Sequence, residues 1–371
     1  MKGMVDMIVI GADTHKRSHT LVAVDAATGR TRGELEIAAT GQGEVEALRF
    51  AASLDDQRVW AIEDCRHVSS RLERTLVTAG ERVVRVTPSL TGPSRKGSRT
   101  PGKSDPIDAT SVALAAIRVG IDELPAAFLD DRAMEIRVLT DYRDQQINER
   151  TRQINRLRWH LVRIAPEIEA QLRPTSLKNP QVLAKLSRQL ARLPRSPQLR
   201  IARALVTRIG QITREERDIL AELKTLIQAH CPALLEQPGC GTVTAAIIIG
   251  HTAGAQRFRS DACFARHAGT APIPASSGNT KRYRLHRGGD RQINRALHTI
   301  VLSQLAWDPT TRAYMDKKIA EGKSKLEAIR CLKRHLARRI WRLLYATTNQ
   351  PAPATKTIVS AAAPALIPCT T

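Results

Sequence analysis

Four carboxylates in the first hundred-odd residues sit where they could do chemistry together. Asp13 ends the apolar run Met7-Ile-Val-Ile-Gly-Ala. Glu63 ends a second run, Arg58-Val-Trp-Ala-Ile. Asp105 and Asp108 lie three residues apart in Asp105-Pro-Ile-Asp108-Ala, a spacing that puts both on one face of a helix. An ionised carboxylate at the mouth of a buried strand is costly unless it is paired or bound to a cation. Several hard oxygen donors gathered from strand ends are what a pair of Mg²⁺ ions about 3.5–4 Å apart requires, with Mn²⁺ as a substitute. Such a site does phosphodiester chemistry. The plainer reading makes Asp13 a turn residue, Asp105 an N-cap and Asp108 a partner of the helix dipole.

The elements that must position these acids are legible from periodicity. Residues 7–13 and 20–25 read as two strands of a hairpin, the first apolar enough to be buried on both faces. Strands are expected at 31–39, 58–63 and 82–87, and helices at 44–54 and 68–79. The order strand, strand, strand, helix, strand, helix, strand is mixed α/β. Residues 137–169 carry Ile147, Ile154, Leu161 and Ile168 at a spacing of seven, with arginines opposite, and 199–229 form a second long helix. Together they suggest a coiled-coil arm or dimerisation element. Pro238-Gly-Cys-Gly241 between helices resembles a helix-hairpin-helix turn able to meet a phosphate. Further helices are expected at 258–268, 292–306 and 323–345. The domain reading is 1–130 catalytic, 131–232 helical, 233–348 C-terminal and 349–371 a Pro/Ala/Thr-rich disordered tail.

Composition indicates the partner. The 371 residues carry 58 Lys and Arg against 36 Asp and Glu, a net charge of +22. That excess points to a polyanion, and to nucleic acid first. Aromatics are only 3%, so phosphate contacts rather than base stacking should dominate affinity. Cations cluster in two loops free of acids or nearly so. One holds Arg95, Lys96, Arg99 and Lys103; the other holds Lys281, Arg282, Arg284, Arg287 and Arg291, just after Ser276-Ser277-Gly278. A serine set among cations has the makings of a nucleophile with a phosphate clamp, although most loop serines are solvated or capping. None of the six cysteines forms a C-x-x-C pair, which argues against a zinc site or a disulfide framework. No secretory pattern or membrane-spanning run is present, so a soluble, cytoplasmic protein is expected.

The acids in this order resemble the RNase H fold in its RuvC-like form. The whole chain resembles the transposases of insertion-sequence family 110. The stretches that carry the likeness are Ile10-Gly-Ala-Asp13, Ala61-Ile-Glu63, Lys103-Ser-Asp-Pro-Ile-Asp108, Gln237-Pro-Gly-Cys-Gly241 and Ser276-Ser-Gly278. The resemblance implies that Asp13, Glu63, Asp105 and Asp108 hold metal and that Ser277 forms a covalent phosphoserine link to DNA. It also implies a dimer or tetramer and a structured non-coding RNA that bridges donor and target DNA. Asp64 adjoins Glu63 and Ser276 adjoins Ser277, so each of those roles is placed to within one residue. Two other readings stay open: a structure-selective nuclease that uses water, and a non-enzymatic nucleic-acid binder whose acids are caps.

Overall fold

The structure is a computed structural model that describes residues 7–63, 66–88, 90–91, 104–275, 283–286 and 288–348. Its N-terminal part is built on one five-stranded sheet. β1 (Ile8–Thr14), β2 (Ser18–Asp25) and β3 (Thr31–Ala38) form an antiparallel meander. α1 (Gly41–Ala52) leads to β4 (Arg58–Glu63), and α2 (Arg66–Thr78) leads to β5 (Val83–Val86); β4 runs parallel to both β1 and β5. The strand order is β3-β2-β1-β4-β5, an RNase H-like arrangement with β1 at the centre.

Every residue of β1 is buried, as its apolar sequence requires of a strand covered on both faces. The two-residue period sorts the side chains. Ile8, Ile10 and Ala12, with Trp60 and Ile62 of β4, pack against α1 and α2 through Ala47, Ala51, Leu72 and Leu76. Val9 and, on β4, Val59 and Ala61 face the other way, onto Ala109, Val112, Ala113 and Ala116 of α3 (Asp105–Val119). Asp13 continues the row of Val9 and Gly11, and Glu63 the row of Val59 and Ala61. Strand parity thus sends both acids to the face that α3 covers.

The approach of α3 is set by Gly11. A Cβ built there would lie 2.1 Å from the Ala109 carbonyl oxygen and 2.9 Å from the Ala113 nitrogen. Only a residue without a side chain lets the helix cross β1 this closely. The start of α3 departs from expectation by one residue. Ser104, extended at φ −146° and ψ 155°, is the N-cap, and its carbonyl accepts the Asp108 N–H at 3.0 Å. Asp105 therefore is the first helical residue and not the cap.

The remaining chain is helical. α4 (Asp131–Ile164) ends earlier than its heptads suggest, because Pro166 disfavours helical backbone at Ala165; Ile168 belongs to the short α5 (Pro166–Ala170). α6 (Pro180–Leu190) packs through Leu183, Leu186 and Leu190 on Leu157 and Leu161 of α4 and on Ile209 of α7 (Pro197–His230). The arginines of α4 are not all solvated: Arg150 is buried, and it and Arg143 both bind Glu216 of α7. A further core joins Leu223 and Ile227 of α7 to Ile247, Ile248 and Ile249 of α9 (Thr242–Thr252). α9 follows the short α8 (Ala233–Glu236), and the same core takes in α10 (Asp261–His267), α11 (Arg291–Trp307) and α13 (Lys325–Thr348), with α12 (Pro309–Ala320) lying between the last two in sequence. α10 begins later than expected: a 3₁₀ turn occupies 255–257 and Ser260 caps the helix. Among the described residues, no helix is long and apolar enough to cross a membrane.

Replacing Gly11 by alanine should lower stability by at least about 2 kcal/mol, the upper part of the overpacking range, because the methyl meets backbone that cannot rotate away. Urea denaturation measures this, and a midpoint equal to that of the parent would show that α3 does not sit so close.

Candidate active site

The four acids meet where β1, β4 and α3 converge. The parallel register pairs Ala12 with Ile62, so Asp13 and Glu63 are the next positions along adjacent strands. Asp13 and Asp108 are buried, Glu63 is half-buried and Asp105 is exposed. Thr91 donates its hydroxyl to Glu63 Oε1 at 3.1 Å. Burial holds the Asp13 carboxyl above its ordinary range; His15 opposes that rise, and the charges of Asp108, Asp105 and Glu63 add to it. Each of the other three carboxylates is thus near enough to Asp13 to act on its charge.

His15 is the participant that the sequence did not single out. Its Nε2 lies 3.2 Å from Asp13 Oδ2 and 3.5 Å from Asp105 Oδ1. Donor atoms of Asp13, His15 and Asp105 all fall within 4.8 Å of one another, a spacing one cation can bridge. The sequence signal was slight, a histidine two residues past a strand-ending aspartate. Glu36 was also passed over. It pairs in register with Thr20, which pairs with Asp13, so it lies on the same sheet face; with Asp105 and Ser104 it lines a groove beside the acids. Carboxylate oxygens with one imidazole form a donor set that suits a divalent cation.

The second candidate region is only partly described. Ser276, Ser277, Lys281, Arg282 and Arg287 lie outside the described residues, as do Arg95, Lys96, Arg99, Lys103 and Asp64. The ends of the serine segment are held, since Pro274 of β6 (Ile273–Pro274) pairs with Tyr283 of β7 (Tyr283–Arg284). Arg284 and Arg291 are exposed, and Asp290, between them in sequence, is half-buried. Asp290 caps α11 by accepting the N–H groups of Gln292 and Ile293. It also meets His251 Nδ1 at 2.9 Å. Burial alone would raise the Asp290 pKa; the hydrogen bond and charge of His251, the charge of His267 and the Ile293 N–H together drive it well below the carboxylate range. The Pro238–Gly241 turn has a packing role. Gly239 has φ 75°, and a Cβ there would lie 2.9 Å from the Ile300 carbonyl of α11.

Comparison with known families matches residues 10–166 to the IS110 transposases of the Asp-Glu-Asp-Asp type, described as "Transposase". Residues 231–316 match the "Transposase IS116/IS110/IS902 family". The chain belongs to the IS110 family of transposases. The first match contains all four acids; the second begins at the end of α7 and spans the serine segment. An uncharacterized 42 kDa protein of insertion element IS900 from Mycobacterium paratuberculosis is 26% identical over 390 residues, covering 92% of this chain and 96% of its own. An uncharacterized 44.8 kDa protein of IS116 from Streptomyces clavuligerus is 26% identical over 382 residues, covering 91% and 95%. T. thermophilus RuvC in complex with Holliday junction substrate matches 33% of this chain and 99% of its own at 14% identity, with a TM-score of 0.27, too low to carry weight.

Two outcomes follow from this geometry. Mg²⁺ should stabilise the protein, by about 2.7 kcal/mol at a hundredfold excess over its dissociation constant. Asp108→Asn should remove most of that gain in a thermal-shift titration, and an equal Mg²⁺ response in the variant would place the cation elsewhere. Asp290, whose folded pKa is depressed, contributes stability in full above the unfolded value of about 4, and that contribution fades as pH falls below it. His251→Gln should cost about 2 kcal/mol near neutral pH and flatten the acid limb of the urea midpoint plotted against pH. A limb as steep as the parent's would contradict the pairing.

Proposed function

We propose that this transposase catalyses metal-dependent DNA strand cleavage and exchange for an insertion sequence. The observation that carries the reading is the cluster of Asp13, His15 and Asp105, with Asp108 and Glu63 near enough for their charges to act on Asp13. The four acids would hold Mg²⁺, with His15 steadying Asp13 and Asp105. Mg²⁺ bound there supplies positive charge to the attacking and leaving oxygens of a phosphodiester.

Ser277 is the nucleophile in this account. Its hydroxyl oxygen forms a bond to the scissile phosphorus as the bond from phosphorus to the leaving DNA oxygen breaks. The serine gives up its proton and the leaving oxygen gains one. A hydroxyl of a second DNA strand then attacks the phosphoserine, which restores the serine and joins the strands. Lys281, Arg282, Arg284, Arg287 and Arg291 balance the phosphate charge, while Arg95, Lys96, Arg99 and Lys103 grip the backbone. The protein acts as a dimer or tetramer, and a structured RNA selects sites by base pairing. The +22 charge and the 3% aromatic content support that division, since cations grip backbone without reading bases.

Ser277→Ala should abolish denaturant-stable DNA–protein adducts, while Ser276→Ala keeps them. Asp13→Asn should remove strand cleavage altogether. Normal cleavage by Ser277→Ala, with Asp13→Asn inactive, would make the protein a nuclease that uses water.

A further inference from the structure

A small cavity lies against β6 and β7, where the serine segment leaves and rejoins the fold. Its volume is about 110 Å³. That is below the roughly 300–1,000 Å³ of small-molecule pockets and leaves room for about four water-sized groups. The charged residues around it are Arg284 of β7, Lys323 just before α13, and Glu327, Arg330, Lys333 and Arg334 of α13. Five cations therefore face a single acid. Glu327 is already engaged, by Arg330 at 3.5 Å and by the Ser324 hydroxyl at 2.9 Å. Lys323 acts on Glu321, outside the cavity.

Lys333 is the unusual member, because it is only 6% exposed. Its ammonium donates to Asn294 Oδ1, and the Asn294 amide donates in turn to the carbonyls of Ala268 and Gly269 at 2.9 and 3.1 Å. The lysine is thus tied through one side chain to the backbone from which β6 departs. Burial, helped by Arg330, pushes its amine down to about 8. A buried amine among like charges is costly, and a bound anion relieves that cost.

We propose that this cavity is a phosphate site that holds one backbone phosphate of the nucleic acid beside the serine segment. The assignment rests on the reading of the chain as a DNA-acting enzyme, though not on the covalent step. A phosphate fixed here sets the register of the strand without reading its sequence. Arg330 and Arg334 stand one helical turn apart on α13 and would flank it, with the Lys333 ammonium at the buried end.

The test is anisotropy titration of labelled duplex DNA with the full chain in EDTA, repeated over a range of KCl concentrations. Losing one phosphate contact lowers the slope of log K against log salt by about 0.9. Arg334→Gln, at a half-buried position, should show that loss and weaken binding equally across unrelated sequences. Lys333→Gln should do the same if its melting curve shows it folded. A slope for Arg334→Gln equal to the parent's overturns the proposal. Calorimetry with inorganic phosphate separates the two sources of the anion. A tight free-phosphate site lost in Arg334→Gln, beside an unchanged DNA slope, overturns the assignment to nucleic acid. Cleavage is silent in EDTA, so failure of the adduct assay with Ser277 would leave this result standing.

Discussion

The close crossing of α3 over β1 at Gly11 is the constraint on which the acidic site depends. Without a side chain at that position, Ala109 and Ala113 come into backbone contact with the central strand. The first turn of α3 then falls beside the ends of β1 and β4, and four carboxylates share one corner. At Asp13 the charges of the other three acids add to the effect of burial. One half-exposed imidazole, His15, offsets part of that effect; divalent cations would offset the rest.

The C-terminal region presents the converse problem. Cations crowd around the roots of the serine segment, with Lys333 buried and a single acid, Glu327, in the cavity wall. Each site is electrostatically incomplete by itself, one lacking cations and the other an anion. On the proposed reading, a phosphodiester with its metal ions would supply both kinds of charge. That complementarity gives a physical reason for an overall charge of +22 to coexist with a local knot of carboxylates.

Much of the N-terminal architecture was legible because its signals are local. The apolar runs at 7–13 and 58–63 each end at an acid, but that the two acids share a face follows from the β1–β4 register, which pairs Ala12 with Ile62. The three-residue spacing of Asp105 and Asp108 showed their common helix face. What could not be read depended on distant partners. The purpose of Gly11 appears only when Ala109, far along the chain, lies against it. Arg150 looked like one more solvated cation on a basic face, yet it is buried on Glu216, 66 residues away. His15 looked like an ordinary turn residue until Asp105 was brought beside it. The end of α4 is a different case: Pro166 was visible, but the heptad pattern drew the helix past it.

The central claim is that the corner formed by β1, β4 and α3 binds divalent cations through its four acids. Crystals grown with Mn²⁺ and examined by anomalous diffraction test it most directly. The account predicts anomalous peaks ligated by Asp13, Glu63, Asp105 and Asp108. A fully occupied Mn²⁺ site elsewhere, with this corner empty and its carboxylates turned apart, would contradict it.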